Sequence, residues 1–351
     1  MDISVLINIF PLAVFNTGHF EALLDTTLIS KGARAVRDRA VTIMTERVAI
    51  VTGSNKGIGF SIVKGLCQRF KGVVYLTARD VKRGEQAVSE LNKLNLHPLF
   101  HQLDVADRDS VLRFSEYLRK KHGGVDILIN NAAVANSRDL YNSYEENKYI
   151  VDVNYKSILT IQELIFPLVR NNGRIINISS DCGHISNVKN EFWLKKLSKK
   201  DLTLKEINEF VDWFLDSCKN NTFRKDDFAD NGTVVAYRVA KVALSALTML
   251  QQKELDERNI SVNSMHPGLV RTDMTLGVGF YNADEAAETP LYLALEAPQS
   301  LKGAYVWYDR KVLDWYDHKA DYYFKTSTLD RNVSNTQQPN TPIVFINKTI
   351  S

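Results

Sequence analysis

The chain has 351 residues, 44% of them hydrophobic and 24% charged, with a formal net charge of +3. That composition is ordinary for a globular protein, the length suits one large α/β domain or two smaller ones, and the near-balanced charge gives no electrostatic case for nucleic acid. Three widely spaced cysteines (Cys67, Cys182, Cys218) and seven histidines without ligand spacing offer neither a disulfide framework nor a metal site, and they fit a reducing, cytoplasmic setting.

In chain order, the first feature is an apolar run from Asp2 to Phe15, broken by Asn8 and Pro11. It is too short to span a membrane, and no Lys or Arg precedes it as in a signal peptide. Lys31, Arg34, Arg37 and Arg39 faintly resemble a transit peptide. Asp2, Glu21, Asp25 and Asp38 share the segment, however, and transit peptides are poor in acids. Residues 1–43 are expected to be a dispensable leader, or the result of a start placed ahead of Met44.

From residue 47 the pattern alternates. "RVAIVTG" is a short apolar run ending in Gly, as a buried parallel strand would be. "GFSIVKGLCQRF" follows with helical periodicity. Strands are then predicted at "VVYLTAR", "PLFHQLDV", "VDILINNAA", "RIINISS" and "ISVNSMHPG". Between them fall helices at "GEQAVSELNKL", "DSVLRFSEYLRKKHG" (closed by Gly123) and "NKYIVDVNYKSILTIQELIFPLVRNN" (closed by Gly173), with another from Thr233 to Leu255. Such alternation predicts an α/β fold: a doubly wound parallel, Rossmann-type sheet with helices on both faces.

The stretch from about 189 to 231 has no strand. Thr203 and Glu206 form a capping box ahead of an apolar stripe at Leu204, Ile207, Phe210, Val211, Phe214 and Leu215. Its charges balance, so a packed helical insert is expected rather than a nucleic-acid arm. Beyond about Asp317 the chain is polar and unpatterned, and residues 319–351 are expected to be disordered. Glycosylation patterns at Asn332 and Asn347 carry little weight, since nothing else points to secretion.

"VTGSNKGIGF" sets Gly53, Gly57 and Gly59 at the first strand–helix turn, with Asn55, Lys56 and Ile58 between them. Without side chains, such a turn lets main-chain N–H groups approach a pyrophosphate at the positive end of a helix. Arg79, at the end of the second strand, lies where an NAD-binding protein usually has an acid for the ribose 2′-hydroxyl. A guanidinium there suits a 2′-phosphate, and Lys56 supplies a second cation. Asp80 is the competing candidate for a ribose hydroxyl, but two cations against one acid predict NADP(H) over NAD(H). Asp104, followed by Val105, ends the third strand where adenine would lie, although a helix cap is nearly as good a reading. Asn130 and Asn131 end the fourth strand and would brace the loop over the ribose, or merely satisfy free backbone groups.

Tyr237 and Lys241 lie one turn apart on one helix face. Alone, such a pair is common. Here the preceding strand ends in Ser179 and Ser180, at the sheet edge where ligands bind. A hydroxyl, a phenol and an ammonium converging beside a nicotinamide suit carbonyl reduction: the developing alkoxide needs a proton and a donor to hold it. A nearby cation is expected to lower the pKa of the phenol.

These residues together resemble the short-chain dehydrogenase/reductase superfamily over about residues 44–318. T-G-x-x-x-G-x-G is read at Thr52–Gly59, N-N-A at Asn130–Ala132, the Ser at Ser180 and Y-x-x-x-K at Tyr237–Lys241. "SNKGIGF", "LTARDVKRG", "FHQLDV", "KHGGVDILINNAA", "PGLVRTDM" and "AETPLYLAL" are similar to the NADPH-dependent carbonyl reductases. The resemblance implies Pro267, Gly268, Val270 and Thr272 along the nicotinamide, and Ser180 and Tyr237 on the substrate. It implies Asn154 as a fourth catalytic residue, bending its helix and holding a relay water toward Lys241. It also implies that the helical insert covers the usual dimer face and keeps the chain monomeric. The choice of Ser180 over Ser179 rests on the resemblance, and Ala133 departs from the family's usual Gly. The expected activity is NADPH-dependent reduction of aldehydes, ketones or quinones. The alternatives are an enzyme dedicated to a steroid, prostaglandin or retinoid-like alcohol, and a catalytically silent cofactor-binding scaffold.

Overall fold

A computed structural model of the chain describes residues 46–135, 143–229 and 234–319. The expectations for the leader, for a start at Met44 and for the tail beyond residue 319 fall outside those residues.

Eight strands occur among the described residues: β1 Val48–Val51, β2 Val73–Ala78, β3 Leu99–Gln102, β4 Val125–Asn130, β5 Val169–Ile178, β6 Ser261–Met265, β7 Tyr305–Val306 and β8 Val312–Leu313. They form one sheet in the order β3-β2-β1-β4-β5-β6-β7-β8. All neighbours are parallel except the last pair. The chain moves outward from β1 to β3 and then crosses to β4 on the other side. The crevice between β1 and β4 is therefore the switch point at which such sheets take ligands.

Helices cover both faces. On one lie α1 (Gly57–Arg69), α2 (Val81–Lys93) and α9 (Ala283–Leu295), whose Ile62, Leu66, Leu91 and Leu291 pack with Val51 and Ile129. On the other lie α3 (Arg108–His122), α4 (Tyr144–Val151), α5 (Ser157–Leu164), α7 (Leu204–Lys219) and α8 (Val235–Leu255). Every residue of β1 is fully buried, so its sequence has no polar alternation. Gly123 closes α3 with φ +68°, as predicted.

The long helix predicted through Asn172 differs in the structure. It runs as α4, a π-helical turn (Asp152–Lys156) and α5, and then breaks. Pro167 sits in a short 3₁₀ turn, and β5 has already begun at Val169. Gly173 is thus a strand residue rather than a helix cap. Proline cannot continue the helical ladder, and the apolar periodicity around it matched helix and strand equally. The short strands β7 and β8 were not predicted; at two residues each they are too short to show a period.

The insert is helical as expected. A short helix, α6 (Glu191–Leu197), precedes α7, and the Thr203/Glu206 capping box is formed. Ile207, Phe210, Val211, Phe214 and Leu215 are buried, whereas Leu204 is exposed. Val188 and Phe228 pair as an antiparallel bridge at the base of the insert. α7 packs against α4 and α8. No helix among the described residues is long and apolar enough to cross a membrane.

Candidate active site

The glycine turn follows β1 at the switch point. Gly53 and Gly57 both hold φ +59°, a region that side-chain-bearing residues rarely adopt. Gly59 needs the absence of a side chain for another reason: a Cβ there would stand 2.4 Å from Asn131 Nδ2 and 2.8 Å from Ser54 Cα. The start of α1 has no side-chain cap, so its first N–H groups remain available to a ligand. Positive-φ glycines, an excluded Cβ and an uncapped helix start fit a dinucleotide pyrophosphate. Gly59→Ala is therefore expected to lower stability by roughly 1–3 kcal/mol, read as a drop in Tm.

The Asn-Asn-Ala segment and this turn hold each other. The Thr52 hydroxyl accepts from the N–H groups of Asn131 and Ala132, each at 3.0 Å. Asn131 Nδ2 donates to the carbonyls of Thr52 and Gly53 at 2.9 Å. Asn130 points inward instead, donating to Asn177 Oδ1 at 2.8 Å. Ala133, the departure from the family pattern, lines the cleft.

Just past β2, Arg79 donates to the Tyr149 phenol at 2.6 Å. Tyr149 escaped sequence reasoning because it lies on a helix seventy residues away. Asp80 caps α2 by accepting from the Arg83 N–H at 2.8 Å, which ties down the rival ligand for a ribose hydroxyl. Asp104 does not cap α3; that position is Asp107. The Asp104 carboxylate accepts from the Ala106 N–H within its own turn. Val105 is buried at the strand end, and Asn55 and Ile58 are half-buried in the glycine turn. Lys56 is exposed and bridges to Asp273 at 2.7 Å across the mouth.

The opposite wall is the loop after β6. Pro267, Gly268, Val270 and Thr272 line the same cleft, which has a volume of about 940 Å³. Gly268 has φ +87°, and the Tyr281 ring occupies the space a Cβ would need. The Thr272 methyl lies opposite Gly57.

Between these walls stand the two hydroxyls. Ser180 caps the 3₁₀ turn that follows β5 and lines the cleft together with Tyr237. Ser179 is committed elsewhere, its hydroxyl 2.8 Å from that of Ser245. The Ser180 hydroxyl donates instead to Asp181 at 2.6 Å. Lys241 is buried, its Nζ donating to the Ile178 carbonyl at 2.7 Å and lying 5.4 Å from the centre of the Tyr237 ring. Asn154 is buried in the π turn and clamps the loop after β4: its Oδ1 accepts from Val134 N–H at 2.9 Å and its Nδ2 donates to Val134 O at 2.6 Å.

The electrostatics depart from expectation. Burial pushes the Tyr237 phenol well above its ordinary value; the Cys182 thiol adds to this and Ser180 opposes it. Burial pulls Lys241 down to about 7. In the protein alone, desolvation outweighs any ammonium field on the phenol.

Fold and cleft together define a dinucleotide-dependent oxidoreductase. The model of the short chain dehydrogenase family matches residues 47–191 and 228–279. Carbonyl reductase (NADPH) 1 of Sus scrofa is 36% identical over 277 residues, covering 77% of this chain and 94% of that protein. The Bos taurus protein of the same name is 37% identical over 276 residues, 76% of this chain and 98% of its own. Among solved structures, salutaridine reductase from Papaver somniferum superposes with a TM-score of 0.68 at 31% identity, over 75% of this chain and all of that one. The chain belongs to the short-chain dehydrogenase/reductase family.

Proposed function

We propose that the chain reduces the carbonyl of aldehydes, ketones or quinones with NADPH, Tyr237 being the proton donor. The observation that supports this reading is that Ser180, Tyr237 and buried Lys241 line one cleft whose other end is the glycine turn. When bound, NADPH supplies hydride to the carbonyl carbon. The chain's own groups handle the oxygen. Ser180 and Tyr237 hold it, and Tyr237 gives it a proton as negative charge develops. The raised phenol is in its protonated form when needed, and Lys241, near 7, stabilises and then reprotonates the phenolate left behind. Asn154 has its amide committed to Val134, so its share in a proton relay falls to the main chain of the π turn.

NADP(H) is the cofactor, with Arg79 at the 2′-phosphate. Arg79→Ala is expected to weaken NADPH binding by roughly 10- to 100-fold and NADH binding far less, read by fluorescence titration of the enzyme. Equal losses would remove the assignment.

The domain from about residue 44 to 318 carries the activity. The insert lies over α4 and α8 and leaves the chain monomeric; light scattering at micromolar protein is expected to give the mass of one chain, and a dimer would contradict this. Three free thiols suit a cytoplasmic setting. Reduction is tested by following NADPH absorbance with an aromatic aldehyde and with a quinone. No consumption of either would favour the silent scaffold.

A further inference from the structure

Asp181 directly follows Ser180, and the reduction scheme leaves it unused. Its carboxylate accepts from the Ser180 hydroxyl at 2.6 Å and from the Cys182 N–H at 2.9 Å. Yet the side chain remains 53% exposed, and it opens into the cleft. Its main-chain N–H donates to His266 Nδ1 at 2.8 Å, so that nitrogen bears no proton in this arrangement. Arg238, the nearby guanidinium, is buried and donates to Asn187 Oδ1. The Ser180 hydroxyl and the Cys182 N–H both donate to the exposed Asp181 carboxylate and favour its charged form. Asp181 thus presents an ionised carboxylate to the cleft.

His266, Trp307, Tyr308 and Tyr281 line the same cleft. The His266 and Trp307 rings lie 4.2 Å apart, Trp307 and Tyr308 5.9 Å, and Tyr308 and Tyr281 5.1 Å. A carboxylate in a cleft that also carries aromatic rings can receive a small organic cation by charge and by the ring quadrupoles.

We propose that Asp181 makes this site selective for carbonyl substrates bearing a protonated amine close to the carbonyl group. The proposal rests on the reading that Ser180 and Tyr237 hold the carbonyl oxygen. Asp181 now draws the Ser180 proton toward itself. An ammonium that engages the carboxylate relieves that demand and lets Ser180 donate to the substrate instead. A neutral substrate finds one of its two donors already engaged.

The test compares 3-(dimethylaminomethyl)benzaldehyde with 3-isobutylbenzaldehyde, alike in shape and different in charge at pH 7. The wild-type enzyme is expected to favour the amine about tenfold in kcat/KM, chiefly through KM. Asp181→Asn is expected to bring the ratio near one, and Asp181→Glu to restore part of it. Equal use of the two aldehydes by the wild type, or a preference that survives in Asp181→Asn, overturns the proposal while leaving carbonyl reduction standing. If neither aldehyde is consumed by an enzyme that binds NADPH, the underlying reading fails and this one with it. The wild-type comparison is decisive even where a variant does not fold.

Discussion

Tyr237→Phe is expected to cut NADPH consumption with any carbonyl substrate by roughly a thousandfold, within the range that a positioned general acid contributes. Phenylalanine keeps the ring and its packing but has no proton to give. Ser180 would still hold the oxygen, so some binding of substrate survives and the loss falls on kcat. The glycine turn and its ties to Thr52 and Asn131 do not depend on the phenol oxygen. NADPH affinity, titrated directly, is therefore expected to change little. Unchanged turnover would refute the role given to Tyr237, whereas loss of turnover together with cofactor binding would mean that the ring is structural.

Lys241→Met is expected to raise the stability of the cofactor-free protein at neutral pH while removing activity. The sign follows from the lowered pKa. In the unfolded chain the amine titrates near 10.5; in the fold, near 7. Between those values the unfolded state binds the extra proton, so wild-type stability rises with pH across that window. Below about pH 7 both states are protonated and the penalty of a buried ammonium is complete, roughly 5 kcal/mol at most. Methionine has no such penalty. The Tm gap in its favour should be widest at pH 7 and narrow toward pH 10. Tyr237 and Tyr305, both raised by burial, work in the opposite direction above pH 10, but they are common to both proteins. A Tm gap independent of pH would mean that Lys241 is not desolvated as described.

Much of this was legible in the sequence. The glycine turn could be read because it solves a backbone problem, and only residues without a side chain solve it. Buried parallel strands could be read because they are apolar throughout. Tyr237 and Lys241 share a helix face by arithmetic. Contacts between distant elements were less open to reading. The Tyr149 phenol beside Arg79, and the Ser179 hydroxyl beside that of Ser245, depend on how separate elements come together. Asp181 could have been suspected, since an acid beside a candidate catalytic serine changes what that serine can donate. The electrostatic expectation failed because it counted the charge on Lys241 but not the burial that opposes it. The break at Pro167 was visible as a residue, and the apolar pattern around it masked the change from helix to strand.

The shortest strands have a reach beyond their size. Tyr305 in β7 donates its hydroxyl to the Ser180 carbonyl at 2.5 Å. Just past β8, Trp315 donates to the Gly183 carbonyl at 2.7 Å, and His184 meets the Asp314 carbonyl at 3.0 Å. The turn that presents Ser180 and Asp181 is thus fastened from the far end of the chain. A chain lacking residues 305–315 would lose these three ties on the serine turn, while the Thr52 and Asn131 bonds of the glycine turn would remain.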